Sequence, residues 1–292
     1  MDTYSIGSYT VGRVGFGVMQ LPGPGVFGPP RDHDQAIAVL RHAIELGINH
    51  IDTAQYYGPN VANDLIRQAL HPYPENLALV SKVGGARDEQ ANWVPAQQPD
   101  ELREQIEENL RTLGTDRLAA VNLRVFAGES PNAPAVVDRG LFERQLATMV
   151  KARDEGLIAG IGLSSISLEH LQIALDRTEI VCVQNAYNLV DRTSQPLLDT
   201  CLEHGIAFVP FFPLGSAFAP DNPVLGHPAV QREASKLGRT PAQIALAWTL
   251  SVAPNVLLIP GTSSVQHLEE NTAVADIELD DDTKRELDDA VD

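Results

Sequence analysis

Short apolar runs rich in Val, Ile and Leu alternate along the chain with longer stretches of helical periodicity, the pattern of repeated βα units. Eight such runs occur, at Gly15 to Met19, Ile48 to Thr53, Leu77 to Val83, Ala119 to Val125, Ile158 to Ser164, Ile180 to Asn185, Ile206 to Phe211 and Val256 to Pro260. The amphipathic segments that follow them, 34–46, 61–70, 100–113, 139–155, 168–176, 195–204, 241–252 and 265–273, predict eight helices. Eight strands with eight helices predict an α/β fold, a (β/α)8 TIM barrel, with residues 1–292 as one domain. Gly47 and Gly205 close apolar-periodic stretches, and Thr240-Pro241 reads as a helix cap followed by a proline in the first turn. Tyr4 to Ile6 and Tyr9 to Val11 flank Gly7-Ser8, which predicts an N-terminal β-hairpin placed to plug the barrel floor. A polar helix at about 280–291 is expected after the eighth unit.

Chemistry in such barrels concentrates at the strand exits and the βα loops. Two of those loops are rich in Gly and Pro, Leu21 to Pro30 and Leu214 to Pro228, and are candidate rims or lids. Strand 2 places His50 and Asp52 on one inward face, with Asp52 nearer the exit, and strand 3 brings Lys82 to the same mouth. An unpaired charge at an apolar strand end is costly, and pairing Asp52 with Lys82 removes that cost. Tyr57 follows Asp52 by five residues. A phenol beside an ammonium loses its proton more readily, which suits it to protonating a carbonyl oxygen, with Lys82 as tuner and Asp52 as its anchor.

Composition narrows the class. The net charge of −18 and pI near 4.7 exclude nucleic acid and anionic membrane surfaces as expected partners. Cys182 and Cys201 form no C-x-x-C pair, which suits a reducing cytoplasm, and the start of the chain lacks a signal-peptide pattern. No run of 18 apolar residues occurs. His50 and Asp52 have no further ligand at metal spacing, so no metal is expected. No G-x-G-x-x-G opens a helix behind the first strand, which argues against a Rossmann domain. A Schiff-base role for Lys82 is disfavoured by its pairing.

The stretch Gly47-Ile48-Asn49-His50-Ile51-Asp52-Thr53-Ala54-Gln55-Tyr56-Tyr57-Gly58 resembles the signature of the aldo-keto reductase superfamily. Gly162-Leu163-Ser164-Ser165, Gln184-Asn185, Pro213-Leu214-Gly215 and Ile259-Pro260-Gly261-Thr262 follow in family order, so the resemblance spans nearly the whole chain. It implies NADPH, in preference to NADH, a small-molecule carbonyl substrate, and a catalytic set of Asp52, Tyr57 and Lys82. The family's strand 4 histidine is replaced by Arg124, after Val121-Asn122-Leu123, and arginine acts only as a fixed cation that orients the carbonyl. The alternative for Arg124 is an ion pair with Glu129. Together with Met19 to Pro30 and Val209 to Gly215, this Arg makes the chain similar to the bacterial pyridoxal reductase branch, which implies reduction of pyridoxal to pyridoxine.

The resemblance also implies a cofactor site at Gly17 and Val18, with Ser164, Ser165 and Gln184 on the carboxamide, although Ser165 stands where the family usually has asparagine. Phe211 would stack on nicotinamide, Phe212, Pro213, Leu214 and Gly215 belong to the cofactor site, and Leu214 to Ser216 with the loop to Pro228 would fold over the pyrophosphate. Gly261, Thr262 and Ser263 open a helix whose free N–H groups suit the 2′-phosphate, beside His267 where relatives carry arginine, with Glu270 and Asn271 at the adenine. Met19, Phe27, Trp93 and Phe126 are the expected substrate contacts. Other readings are a general aldehyde or ketone reductase and an NADPH-binding regulatory subunit with little turnover. A monomer or small homo-oligomer is expected.

Overall fold

The computed structural model describes residues 2–126, 136–215 and 222–289; Glu129 and residues 216–221 of the second proline-rich loop lie outside them. The chain opens with the expected hairpin, β1 (Thr3–Ile6) and β2 (Tyr9–Gly12), paired antiparallel from Thr3 opposite Gly12 to Ile6 opposite Tyr9. Its turn needs a left-handed residue, which Gly7 supplies at φ +56°. Ile6 and Val11 are fully buried and pack with Ala78, Val80, Ala120, Cys182 and Ala207 inside the barrel, so the hairpin does close the floor.

The staves follow as β3 (Phe16–Gly17), β4 (His50–Asp52) and β5 (Ala78–Val83). Beyond β5 the chain folds into an unforeseen antiparallel hairpin, β6 (Gly85–Arg87) and β7 (Trp93–Pro95), before β8 (Ala120–Arg124), β9 (Ile161–Ser164), β10 (Cys182–Gln184) and β11 (Ala207–Phe208). The seven staves pair in parallel in the order β3-β4-β5-β8-β9-β10-β11. The expected eighth strand closes the ring through two parallel bridges rather than a regular ladder: Val256 joins Phe208, and Leu258 joins Val14. Parallel strands are covered on both faces, and every residue of β4, β5, β8, β9 and β10 is buried.

Around the ring lie α1 (His33–Glu45), α2 (Val61–Leu70), α3 (Pro99–Leu113), α4 (Arg139–Asp154), α5 (Leu168–Leu175) and α6 (Gln195–Glu203). They are followed by α7 (Pro228–Leu237), α8 (Pro241–Ser251), α9 (Val265–Thr272) and α10 (Asp281–Asp288). The α8 start is as expected: the Thr240 hydroxyl accepts the Gln243 N–H while the Gln243 side chain accepts the Thr240 N–H, and Pro241 occupies the first turn. α7 is additional to the predicted set, begun by His227-Pro228 and stopped by Gly238 at φ +62°.

Candidate active site

β4 and β5 are neighbours, with Asp52 opposite Val80 in register, so the exits of both strands meet at one mouth. There Lys82 Nζ forms an ion pair with Asp52 Oδ1 and donates to the Thr53 carbonyl at 3.1 Å. The second carboxylate oxygen of Asp52 accepts from Gln184 Nε2 at 2.7 Å, which reaches across from β10. Lys82 and Asp52 are both buried, and the ammonium stands 5.4 Å from the centre of the Tyr57 ring.

Tyr57 owes its place to the turn after β4, where its N–H donates to the Ala54 carbonyl and its own carbonyl accepts from Ala62. Behind that turn lies a buried polar cluster that sequence reasoning missed. Asn63 Nδ2 donates to Gln55 Oε1 at 2.7 Å and to Asn109 and Thr112 at 3.0 Å, while Thr53 donates to Asn63 Oδ1 at 2.8 Å. Ser81, next to Lys82, donates to Asn109 at 2.6 Å, so the network joins β4, β5, α2 and α3. Its signal in the sequence was amides at the inward positions of α2 and α3, where apolar residues belong.

A cavity of about 620 Å³ opens over these groups, in the usual range for small-molecule sites. It brings together Asp52, Tyr57, Lys82 and Arg124. Of the expected cofactor set, Gly17, Ser164, Ser165, Gln184, Phe211 to Gly215 and Gly261 line it. Met19 and Trp93 also face it, the Trp93 ring lying edge-on to Tyr57 at 6.3 Å between centroids. Not foreseen among the lining residues are Gln20, Gly25, Val26, Arg87, Pro210, Ile259 and Pro260.

The remaining expected residues fall elsewhere. Val18 is fully buried in the core, Phe27 is exposed, and Phe126 is buried with its ring 3.2 Å from where a Cβ on Gly85 would stand, none of them lining the cavity. Thr262, Ser263, His267, Glu270 and Asn271 lie along the start and body of α9, outside the cavity. Ser264 already caps that helix by accepting from His267 N, and Thr262 accepts from Ser264 N at 3.0 Å.

Two features bear on whether a nicotinamide fits. Gln184 Oε1 is buried with no hydrogen-bond partner among the described residues, an open acceptor beside Asp52 that suits the N–H of a carboxamide. Gly17 and Gly261 face each other where any Cβ would come within 2.6 Å of backbone oxygen, and both border the cavity. His50, two residues below Asp52, is fully buried with both ring nitrogens unpartnered among the described residues, and desolvation pulls its pKa down to about 4, so it is neutral at pH 7. No group of three or more His, Cys, Asp or Glu side chains among the described residues could hold a metal ion, and no described helix is long and apolar enough to cross a membrane.

Comparison with known proteins places this geometry. The profile of the Aldo/keto reductase family matches residues 13–292. The chain is 47% identical to pyridoxine 4-dehydrogenase of Escherichia coli (strain K12), over 98% of this chain and 97% of that protein. It is 37% identical to an uncharacterized oxidoreductase of Schizosaccharomyces pombe, over 98% and 89%. Among solved structures, an aldo/keto reductase from Klebsiella pneumoniae in complex with NADP and acetate superposes with a TM-score of 0.79 at 27% identity, covering 99% of this chain and 94% of that one. The (β/α)8 ring, the buried Asp52–Lys82 pair at its mouth and these likenesses carry one conclusion: the chain belongs to the aldo/keto reductase family of oxidoreductases.

Proposed function

We propose that this protein reduces pyridoxal to pyridoxine with NADPH. The observation that carries the reading is the gathering of Tyr57, Lys82, Asp52 and Arg124 around one cavity in a chain so similar to the E. coli pyridoxine 4-dehydrogenase. NADPH, when bound, supplies the hydride that reduces the aldehyde carbon. Tyr57 donates its phenolic proton to the aldehyde oxygen, so the carbonyl becomes the alcohol and the tyrosine recovers a proton from solvent. Lys82 stabilises the phenolate left behind, and Asp52 fixes Lys82 while Gln184 fixes Asp52. Arg124, at the exit of β8, orients the carbonyl and stabilises the charge growing on oxygen. Ser164 and the free acceptor of Gln184 take the carboxamide, Phe211 the ring face, and the α9 start the adenosine end.

The test is consumption of NADPH with pyridoxal, with pyridoxine identified as the product. Tyr57→Phe is expected to lower kcat by roughly a hundredfold or more while leaving the NADPH dissociation constant unchanged. Steady turnover surviving in that variant would mean that another group is the acid. An NADPH-binding subunit would instead hold the cofactor without oxidising it.

A further inference from the structure

The charge inside the cavity runs opposite to that of the chain. The protein carries a net −18, yet among the residues lining the cavity stand three cations, Lys82, Arg87 and Arg124, against one carboxylate, Asp52. Lys82 and Asp52 neutralise each other, which leaves two guanidinium groups. Among the described residues neither has a carboxylate within ion-pairing distance. Asp88, the nearest acid in sequence, is occupied with the backbone N–H groups of Gln90 and Asn92 and the Asn92 side chain.

Arg87 is held by backbone carbonyls and an aromatic ring rather than by a carboxylate. It sits at the end of β6 with its guanidinium 3.9 Å above the Trp93 ring, while Arg124 lies 5.3 Å from the same ring. Its Nη1 donates to the Ala91 carbonyl at 2.7 Å and its Nη2 to the Gly25 carbonyl at 3.3 Å, tying β6–β7 to the first βα loop. Next along that loop, Val26 holds φ +61°, a strained value for a β-branched residue, and both Gly25 and Val26 border the cavity. Arg87 Nε is buried and has no hydrogen-bond partner among the described residues. Burial, the largest influence, and the nearby Arg124 disfavour its charge, while Tyr57 and Asp88 favour it. An anionic oxygen arriving with a ligand would relieve both costs, since a charge-assisted bond to guanidinium is among the stronger ones available.

We propose that Arg87, sharing the Trp93 ring with Arg124, is a specificity-determining residue: it forms an anion-accepting wall that makes aromatic aldehydes bearing a carboxylate or phenolate the preferred substrates. The aromatic part follows from Tyr57, Trp93, Phe211 and Phe212, whose rings line the same space. Pyridoxal belongs to this class through its acidic ring hydroxyl. The inference rests on reading the cavity as a carbonyl-reducing site.

The test compares KM and kcat, with NADPH, for 4-carboxybenzaldehyde and its neutral methyl ester, which differ in charge but little in shape at the aldehyde. The wild-type KM for the acid is expected to be about tenfold or more below that for the ester, and Arg87→Met to bring the ratio close to one, with Arg87→Lys between them. Because Arg87 also ties two loops together, the ratio is the deciding quantity: a loop disturbance moves both substrates by the same factor. An equal KM for acid and ester in the wild type, or a ratio unchanged in Arg87→Met, would overturn the inference while leaving carbonyl reduction standing. Failure to reduce either compound, or pyridoxal, would remove the carbonyl-reducing reading and this inference with it.

Discussion

Replacing Lys82 with Met removes the only ion-pair partner that Asp52 has among the described residues, in a place where both side chains are at most 5% exposed. Asp52 would keep a single donor, Gln184 Nε2, on one of its two oxygens. Breaking a buried pair from one side leaves an uncompensated charge and costs about 3–5 kcal/mol, a large share of a typical domain's stability. The double variant Asp52→Leu/Lys82→Met removes both charges. The Thr53 carbonyl loses its Lys82 donor in both variants, so the comparison sets an orphaned charge against one unmatched Gln184 donor, worth roughly 1–3 kcal/mol, and the double variant should be the more stable of the two. Urea unfolding at pH 7 measures both, and NADPH oxidation with pyridoxal measures activity. The expected result is stability largely recovered and activity not recovered, because neither variant keeps the ammonium beside Tyr57. A double variant no more stable than the single one would refute the claim that the cost is an orphaned charge. Full activity in Lys82→Met would refute the assigned role of Lys82.

Two other substitutions probe the frame of the site. His50 is held neutral with a folded pKa of about 4 against an ordinary 6.5, so as pH falls the unfolded chain takes up the proton first. Its contribution to stability is complete above about pH 6.5 and is lost toward pH 4, roughly 2–3 kcal/mol by pH 4.5. His50→Leu should flatten that part of the stability profile in urea titrations at pH 7 and 4.5, and parallel losses in the two proteins would show that His50 is not the sensor. Gly84 has φ +99°, and a Cβ there would lie 2.4 Å from the Arg124 carbonyl oxygen. Gly84→Ala should therefore cost about 2–4 kcal/mol in unfolding and lower activity by parting β5 from β8, whereas an unchanged melting temperature would mean the turn yields freely.

The barrel was legible because parallel strands covered on both faces read as unbroken apolar runs, and seven of the eight expected runs contain a stave. The eighth is the exception: Leu258 exchanges backbone bonds with Arg13 and Gly15 on one side, and Asn255 and Leu257 bond Phe208 on the other, which completes the ring with isolated bridges. The β6–β7 hairpin left no such trace. Gly85-Ala86-Arg87 has no alternation and Trp93-Val94-Pro95 ends in proline, so the pairing is made by tertiary context. That is why Trp93 was foreseen near the cavity through its loop while Arg87 was not; Phe126, expected beside it, does not line the cavity. Its ring is buried so close to Gly85 that a Cβ there would come within 3.2 Å of it. Asp52 and Lys82 were readable because charges at apolar strand ends demand a partner, which the neighbouring strand supplies.

The same distinction divides the work of the site. Asp52, Lys82 and Arg124 stand on staves locked by the parallel ladder, and Tyr57 on a turn backed by the Asn63–Gln55–Asn109 network, so their mutual geometry is set by the core. Arg87, Trp93, Gly25 and Val26 stand on a hairpin and a loop that Arg87 joins, its Nη2 donating to the Gly25 and Val26 carbonyls. Elements outside the ladder open and vary at small cost, whereas those in the ladder open only with the whole barrel. Changes in the first group should therefore fall on kcat and stability together. On the proposed function, changes at Arg87 and Trp93 should fall on KM and on the choice of substrate, because neither residue belongs to the ladder or to the turn that carries Tyr57.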